Sequence, residues 1–258
     1  MVIIIDPVAF YIGSLGIRWY GVIIAAATLI AMFLINREAA QQGIASDFFL
    51  DYFLITIPAA IIAARLYYVV FNFKIYKGNI RRIFAFREGG IAIHGAVLAG
   101  LLVLIILSRK RGVSFWQAAD IIAPALVLGQ SFGRWGNFIN REAYGGIVSK
   151  EFISIFPDFI ERQMHINGYY HHPAFLYESS WDLLVFIFLI SIRRKEFIKK
   201  GDLFLLYLIT YSLGRFFIEG IRTDSLMLGP WRIAQLVSIF AIVLGGLLIY
   251  IRHKKLIR

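Results

Sequence analysis

Cysteine is absent from all 258 residues. That excludes a disulfide framework, a thiolate metal site and a cysteine nucleophile. Charge is scarce as well: Asp, Glu, Lys and Arg make up 17% of the chain, with 16 acids against 27 bases. The aspartates form no cluster, so a metal-dependent phosphatidyltransferase would have no ligands for its ions. The beginning of the chain has no basic segment and no small-residue cleavage site before its first apolar run. It carries Asp6 and Pro7 instead, and a secretory signal peptide is not expected. The half-to-half symmetry common in secondary transporters is also missing.

What is there is apolar. Hydrophobic residues form 59% of the chain and mean hydropathy is +0.72, outside the range of ordinary soluble domains. Runs of about 20 residues, the length that crosses a ~30 Å hydrocarbon core, are read at 17–36, 48–71, 91–108, 115–133, 173–192, 202–219 and 231–251. The expected fold is an all-α integral membrane protein: one polytopic domain of seven spans, with an arm at 72–90 and a small cap at 140–172. Ser114-Phe-Trp-Gln117 has the form of a capping box opening the fourth span, and Gly229-Pro230 punctuates the start of the seventh.

The net charge of +11 does not argue for nucleic acid, because the bases lie between apolar runs, where they set orientation and meet anionic lipid. Arg109-Lys-Arg111, Arg193-Arg-Lys195 with Lys199-Lys200, and Arg252-His-Lys-Lys255 with Arg258 fall on one side by span parity. That side should be cytoplasmic, which puts the N-terminus, the arm and the cap outside. Lys74, Lys77, Arg81, Arg82 and Arg87 in the arm oppose the rule, and the three short clusters outweigh them.

Such a topology gathers polar groups from five spans at one leaflet: Tyr20, His94, Arg134 with Asn137 and Glu142, Tyr177 with Glu178, and Arg215 with Glu219. Ionisable groups at membrane depth cost roughly 2.5–3.5 kcal/mol each even on the lenient insertion scale, so they mark sites by default. In the stretch from Tyr211 through Arg215 and Glu219 to Arg222, spacings of four, four and three align the polar side chains on one helix face. Arg215 and Glu219 could simply neutralise each other. The surplus of Arg222, with Arg134 at similar depth, favours an anion site. Gly133-Arg134 and Gly214-Arg215 are each followed by an aromatic, and the glycines would permit close backbone approach.

The arginine fork suits a phosphate held in fixed geometry. Asn137 and Asn140 add neutral donors, and Glu142 could orient an arginine. These residues point to a phosphate-headed ligand without saying which. His94, flanked by glycines at the start of a span, is either a packing residue or the group that accepts a proton near neutrality. Its leaflet favours the second. His165, His171 and His172 are read as solvated or packing residues, and no metal site is expected. Asp120 reads as a favourable carboxylate near the N-terminus of span four, about fourteen residues and ~21 Å of helix below Arg134. Arg65, within span two, needs a carboxylate, a backbone carbonyl or a ligand.

Gly133-Arg-Trp-Gly-Asn-Phe-Ile-Asn-x-Glu-x-x-Gly145 resembles the signature of bacterial prolipoprotein diacylglyceryl transferases. Supporting segments agree in order and spacing: Ile17 to Gly21, Ala64 to Tyr67, Gly89 to Gly95, Asp120 to Pro124, His172 to Glu178 and Tyr211 to Arg222. Ala96 stands where the family commonly has glycine, and 146–171 is not diagnostic. The resemblance implies a seven-span enzyme of the bacterial plasma membrane with its active site toward the outer leaflet. It would move the diacylglyceryl group of phosphatidylglycerol to the lipobox cysteine of a preprolipoprotein, releasing glycerol 1-phosphate. By the same resemblance Arg134 and Arg215 would hold the phosphate, and Asn137, Glu142 and Glu219 would arrange the headgroup. His94 would be the base, with Tyr20 and Tyr211 in support. Asn140 and Arg222 join the expected lipid-binding set, with Arg65, Tyr177 and Glu178 supporting. No cofactor is expected, and the protein is expected to act as a monomer.

Overall fold

A hairpin precedes the first long helix. In this computed structural model, which describes residues 4–85 and 89–255, β1 (Val8–Ile12) pairs antiparallel with β2 (Leu15–Arg18). Gly13, at φ 60°, supplies the left-handed turn between them. Arg87 and Arg258 of the expected basic groups lie outside the described residues.

The order continues with α1 (Trp19–Gln41), α2 (Ser46–Phe71), α3 (Phe73–Tyr76), a 3-10 turn at Ile80–Phe84, α4 (Ile93–Arg111) and α5 (Phe115–Asn140). After these come β3 (Ile147–Val148), α6 (Lys150–Ile153), α7 (Asp158–Gln163), β4 (His165–Ile166) and β5 (Tyr169–His171). The chain then runs through α8 (Ala174–Ile192), α9 (Asp202–Glu219), β6 (Met227–Leu228), β7 (Trp231–Arg232) and α10 (Ile233–Lys255). The protein is mostly helical. Among the described residues, five helices are long and apolar enough to cross a membrane by length and composition: α1, α2, α4, α8 and α10. α5 and α9 are of similar length but interrupt their apolar runs with Asp120 and Arg134, and with Asp202, Arg215 and Glu219.

Two differences from the sequence reading matter. α5 does not stop near 133 but runs on to Asn140, so Arg134, Asn137 and Asn140 are helical residues. The stop comes at Arg141, whose φ of 55° breaks the helix in left-handed backbone. The connections also hold short antiparallel strands that an all-α reading omits: β1–β2, a three-stranded sheet in the order β3-β5-β4, and β6–β7. Each is two to five residues long, too short for an alternating pattern to stand out.

The chain forms two compact units, one of residues 1–34 with 120–258, the other of 35–119. In the second, α2 and α4 pack closely. Gly95 makes this possible, because a Cβ there would run into the backbone of Ala63 and Ala64. At the other end of α4, Arg111 reaches Asp47 at 3.2 Å and also pairs with Asp51. In the first unit, Ala123 and Val127 of α5, Val185 and Leu189 of α8, and Leu203 and Tyr207 of α9 form one buried cluster. A second cluster joins Phe138 and Phe175 to Ile153, Ile160, Met164 and Ile166 of the 147–171 segment.

Candidate active site

Asp120 sets the register of the site from a distance. Its carboxylate accepts hydrogen bonds from the backbone N–H of Gly201 (2.5 Å) and of Phe204 (2.9 Å). These N–H groups belong to the first turn of α9, so Asp120 caps α9 rather than its own helix. Further along, Tyr207 meets Gln130 at 3.2 Å and Tyr211 meets Arg134 at 3.4 Å. Residue numbers rise together on both helices, so α5 and α9 run parallel. Arg134 lies fourteen residues beyond Asp120, and Arg215 fourteen beyond Gly201. At 1.5 Å per residue each reaches about 21 Å above the cap, which brings both arginines to the same level.

α8 runs antiparallel to this pair and supplies their shared counterion. Glu178, 4% exposed, takes Arg134 Nη1 at 3.3 Å, Arg215 Nη1 at 2.6 Å and Arg222 Nη1 at 3.2 Å. Arg215 also pairs with buried Glu219 at 2.5 Å, and Arg222 with Asp224 at 2.7 Å. Three guanidiniums therefore face three carboxylates, and buried Glu178 is shared by all three. Burial of this many charges is tolerated only where each is paired, since the desolvation cost per ion is several kcal/mol. Burial works to raise the Asp224 carboxyl, but the Arg222 guanidinium outweighs it and holds the acid below the usual carboxylate range.

Neighbouring side chains fix this geometry. Ser131 Oγ donates to the carbonyl of Ser179 at 2.8 Å, Trp135 Nε1 to Ser179 Oγ at 3.1 Å, and Trp181 Nε1 to the Thr210 carbonyl at 2.9 Å. Polar bonds thus tie α8 to both partners. A Cβ at Gly214 would collide with the Trp181 indole, and one at Gly136 with the Tyr20 ring. The glycine beside Arg215 is therefore a close approach, whereas Gly133 has ordinary room and the tight position on α5 is Gly136. Arg134, Trp181, Asp182, Tyr211 and Arg215 line a small cleft with Glu178 at its wall.

Arg222 is carried in by a loop–loop pairing. Gly145 forms an isolated bridge with Arg222, and the Gly146 N–H donates to the Ile221 carbonyl at 2.9 Å. Gly145 is needed here, since a Cβ would lie 2.6 Å from that of His172. His172 Nδ1 and the Tyr177 hydroxyl are 3.2 Å apart, and burial pushes the His172 imidazole down. Among the described residues Glu142 meets amides, not an arginine: Asn137 and Asn140 both donate to its Oε1, at 3.0 and 3.2 Å. Left-handed backbone at Arg141 and Ala143 brackets it, at φ 55° and 56°. Strain of this kind, about 1–3 kcal/mol per residue, collects at functional sites.

A family model for prolipoprotein diacylglyceryl transferase matches residues 7–251. The chain belongs to this family. A relative from Clostridium botulinum (strain Hall) is 50% identical over 250 residues, covering 97% of this chain and 98% of its own. One from Bacillus cereus (strain G9842) is 47% identical over 252 residues, covering 97% and 93%. Both are named phosphatidylglycerol–prolipoprotein diacylglyceryl transferase.

Against the residues singled out from sequence, the structure brings together Arg134, Tyr211, Arg215, Glu219, Arg222 and Glu178, with Tyr20 packed on α5. His94 and Arg65 belong to the 35–119 unit. His94 is exposed, with its ring stacked on Tyr67 at 5.7 Å between centroids. Arg65 is 2% exposed and its partners are backbone carbonyls. Nε reaches that of Ile83 (2.9 Å) and Nη1 that of Gly90 (3.0 Å), while Gly89 and Arg82 also accept. It clamps the 72–90 arm. Asp182 and Trp181 were missed by sequence reasoning. The signal available was an acid one helical turn after Glu178 in an otherwise apolar span.

Proposed function

We propose that this chain transfers the diacylglyceryl group of phosphatidylglycerol to the lipobox cysteine thiol of preprolipoproteins. The thiol sulfur attacks the glycerol carbon and forms a thioether. The carbon–oxygen bond breaks, its electron pair stays on the phosphate oxygen, and glycerol 1-phosphate leaves. The observation that carries this reading is the convergence of three guanidiniums on Glu178 in a cleft at one end of α5, α8 and α9. Guanidinium groups pre-aimed at a phosphate stabilise the charge that grows on it as the bond breaks, with no reorganisation at that moment.

In this reading Glu178 keeps the arginines in position until the lipid arrives, and the phosphate then competes for their outward donors. Arg134 and Arg215 hold the phosphate. Glu219 and Arg222 steady Arg215 and Glu178, while Asn137, Asn140 and Glu142 form an internally bonded group that shapes the headgroup pocket. Tyr211 supports Arg134, Tyr20 packs beside it, and His94 takes the thiol proton. α5 and α9 complete seven spans, with the N-terminus, the arm and the 140–172 cap outside and the C-terminus cytoplasmic. The active site then opens toward the outer leaflet, and the protein works as a monomer.

The test is purified protein with phosphatidylglycerol and a lipobox peptide, followed by mass spectrometry of the peptide and of the released headgroup. The expected products are a peptide heavier by one diacylglyceryl group and glycerol phosphate in equal amount. Modification of a peptide whose lipobox cysteine is replaced by serine, or consumption of lipid with an unchanged peptide, would overturn the proposal.

A further inference from the structure

Asp182 stands one helical turn beyond Glu178 on α8 and lines the same cleft as Arg134, Tyr211 and Arg215. It is 2% exposed, and its Oδ2 is buried with no hydrogen-bond partner among the described residues. A carboxyl group serving only to hold helices together would be expected to use both oxygens, as Asp120 does with Gly201 and Phe204. Glu178, one turn away, has collected the three arginines. Asp182 stands within the fields of Arg134 on α5, Glu178 on α8, and Arg215, Tyr207 and Tyr211 on α9.

Charge balance decides what it can do there. Arg134, Arg215 and Arg222 are already matched by Glu178, Glu219 and Asp224. A phosphodiester brings one more negative charge, and an ionised Asp182 would set a second beside it in a poorly solvated cleft. Two like charges so close do not both persist. We infer that Asp182 is a further catalytic residue: a neutral carboxylic acid whose Oδ2–H is donated to a non-bridging oxygen of the lipid phosphate. This rests on the reading that the cleft holds the phosphate of phosphatidylglycerol. The acid keeps its proton throughout, and no covalent bond to it forms or breaks. As the carbon–oxygen bond opens, the phosphate gains charge and this hydrogen bond strengthens, so its effect falls on kcat as well as on KM.

The experiment compares wild type with Asp182→Asn and Asp182→Leu, measuring transfer to a lipobox peptide against phosphatidylglycerol concentration from about pH 6 to 9. Wild type should show a KM that climbs toward high pH as the acid ionises. Asp182→Asn retains an N–H donor and cannot ionise, so its KM should stay level across the range. Asp182→Leu should lose about tenfold or more in kcat/KM at pH values where the wild-type KM is still level, the effect of one hydrogen bond to a charged group, and this deficit should shrink as the wild-type KM climbs. Retention of the alkaline rise by Asp182→Asn, or wild-type turnover by Asp182→Leu, would overturn the inference. If the leucine variant fails to fold, the pH dependence of the near-isosteric asparagine variant decides alone. Infrared difference spectra on adding phosphatidylglycerol give a readout independent of turnover. A carbonyl band of a protonated carboxyl should be present in wild type and absent from Asp182→Asn, and its absence from wild type would also overturn the inference. A wild type that binds the lipid with this band but leaves the peptide unmodified would instead sink the functional reading.

Discussion

Replacing Glu178 by glutamine removes one charge and keeps the shape, and the structure says where the damage should fall. Arg215 keeps Glu219 at 2.5 Å and Arg222 keeps Asp224 at 2.7 Å. Arg134 keeps the Tyr211 hydroxyl at 3.4 Å, a weak contact, and its Nε is already buried without a partner among the described residues. The loss therefore concentrates on one half-buried guanidinium. Breaking a buried ion pair by removing one partner costs about 3–5 kcal/mol, and the amide's remaining acceptor points to the lower end. At about 2–4 °C per kcal/mol for chains of 150–250 residues, Glu178→Gln should melt roughly 6–12 °C below wild type. Phosphatidylglycerol should then stabilise the variant more than wild type, because its phosphate no longer competes with a carboxylate. A ligand at a hundred times its Kd contributes about 2.7 kcal/mol. The assay is thermal unfolding in a neutral detergent, with phosphatidylglycerol or a zwitterionic lipid added. An unchanged melting temperature, or equal lipid-induced shifts in both proteins, would refute the reasoning.

Arg134→Lys and Arg215→Lys should each lose most activity while keeping their charge, since an ammonium cannot give two parallel donors to one phosphate, and near-normal turnover in either folded variant would show the fork to be unnecessary. Gly214→Ala puts a methyl group into an indole tethered to Thr210, and overpacking of this kind costs about 1–3 kcal/mol, visible as a lower melting temperature together with a lower kcat. His94→Gln should slow single-turnover transfer by about 10²–10⁴-fold, whereas a small rate loss would make His94 a packing residue. Single cysteines introduced at 150 and 197 should react with an impermeant reagent in intact cells at 150 alone, and labelling at 197 instead would reverse the orientation.

Residues that had to pay for burial were the legible ones. Arg134, Arg215, Glu219 and Arg222 declare themselves as charges in apolar surroundings, and the spacing of four puts Arg215 and Glu219 on one face of α9, whereas Arg222, expected on the same face, lies beyond the end of the helix. Their partner was harder to see. Glu178 is one of several polar groups that the sequence places at the same leaflet, and nothing in its own segment says that it binds arginines 44 residues before it, 37 after and 44 after. Arg65 illustrates a second limit, because its partners are backbone carbonyls, which every residue possesses. Asp120 illustrates a third. A carboxylate near a helix start suggests a cap, but here the capped helix begins 81 residues later. The hairpins escaped notice because two to five residues give periodicity too little length to work on.

The cap made by Asp120 also bears on how the enzyme meets bilayers of different thickness. Membrane helices answer a change in hydrocarbon depth by tilting, and unconnected neighbours can answer it by sliding. Sliding of α9 along α5 by a single residue, about 1.5 Å, would strip the Gly201 and Phe204 N–H groups from their carboxylate at one end and shift Arg215 relative to Arg134 at the other. With α5 and α9 taken as spans, as proposed above, the two helices should therefore lean as one body. Changing acyl-chain length in the host membrane should then alter access to the cleft before it alters the spacing of the guanidiniums within it.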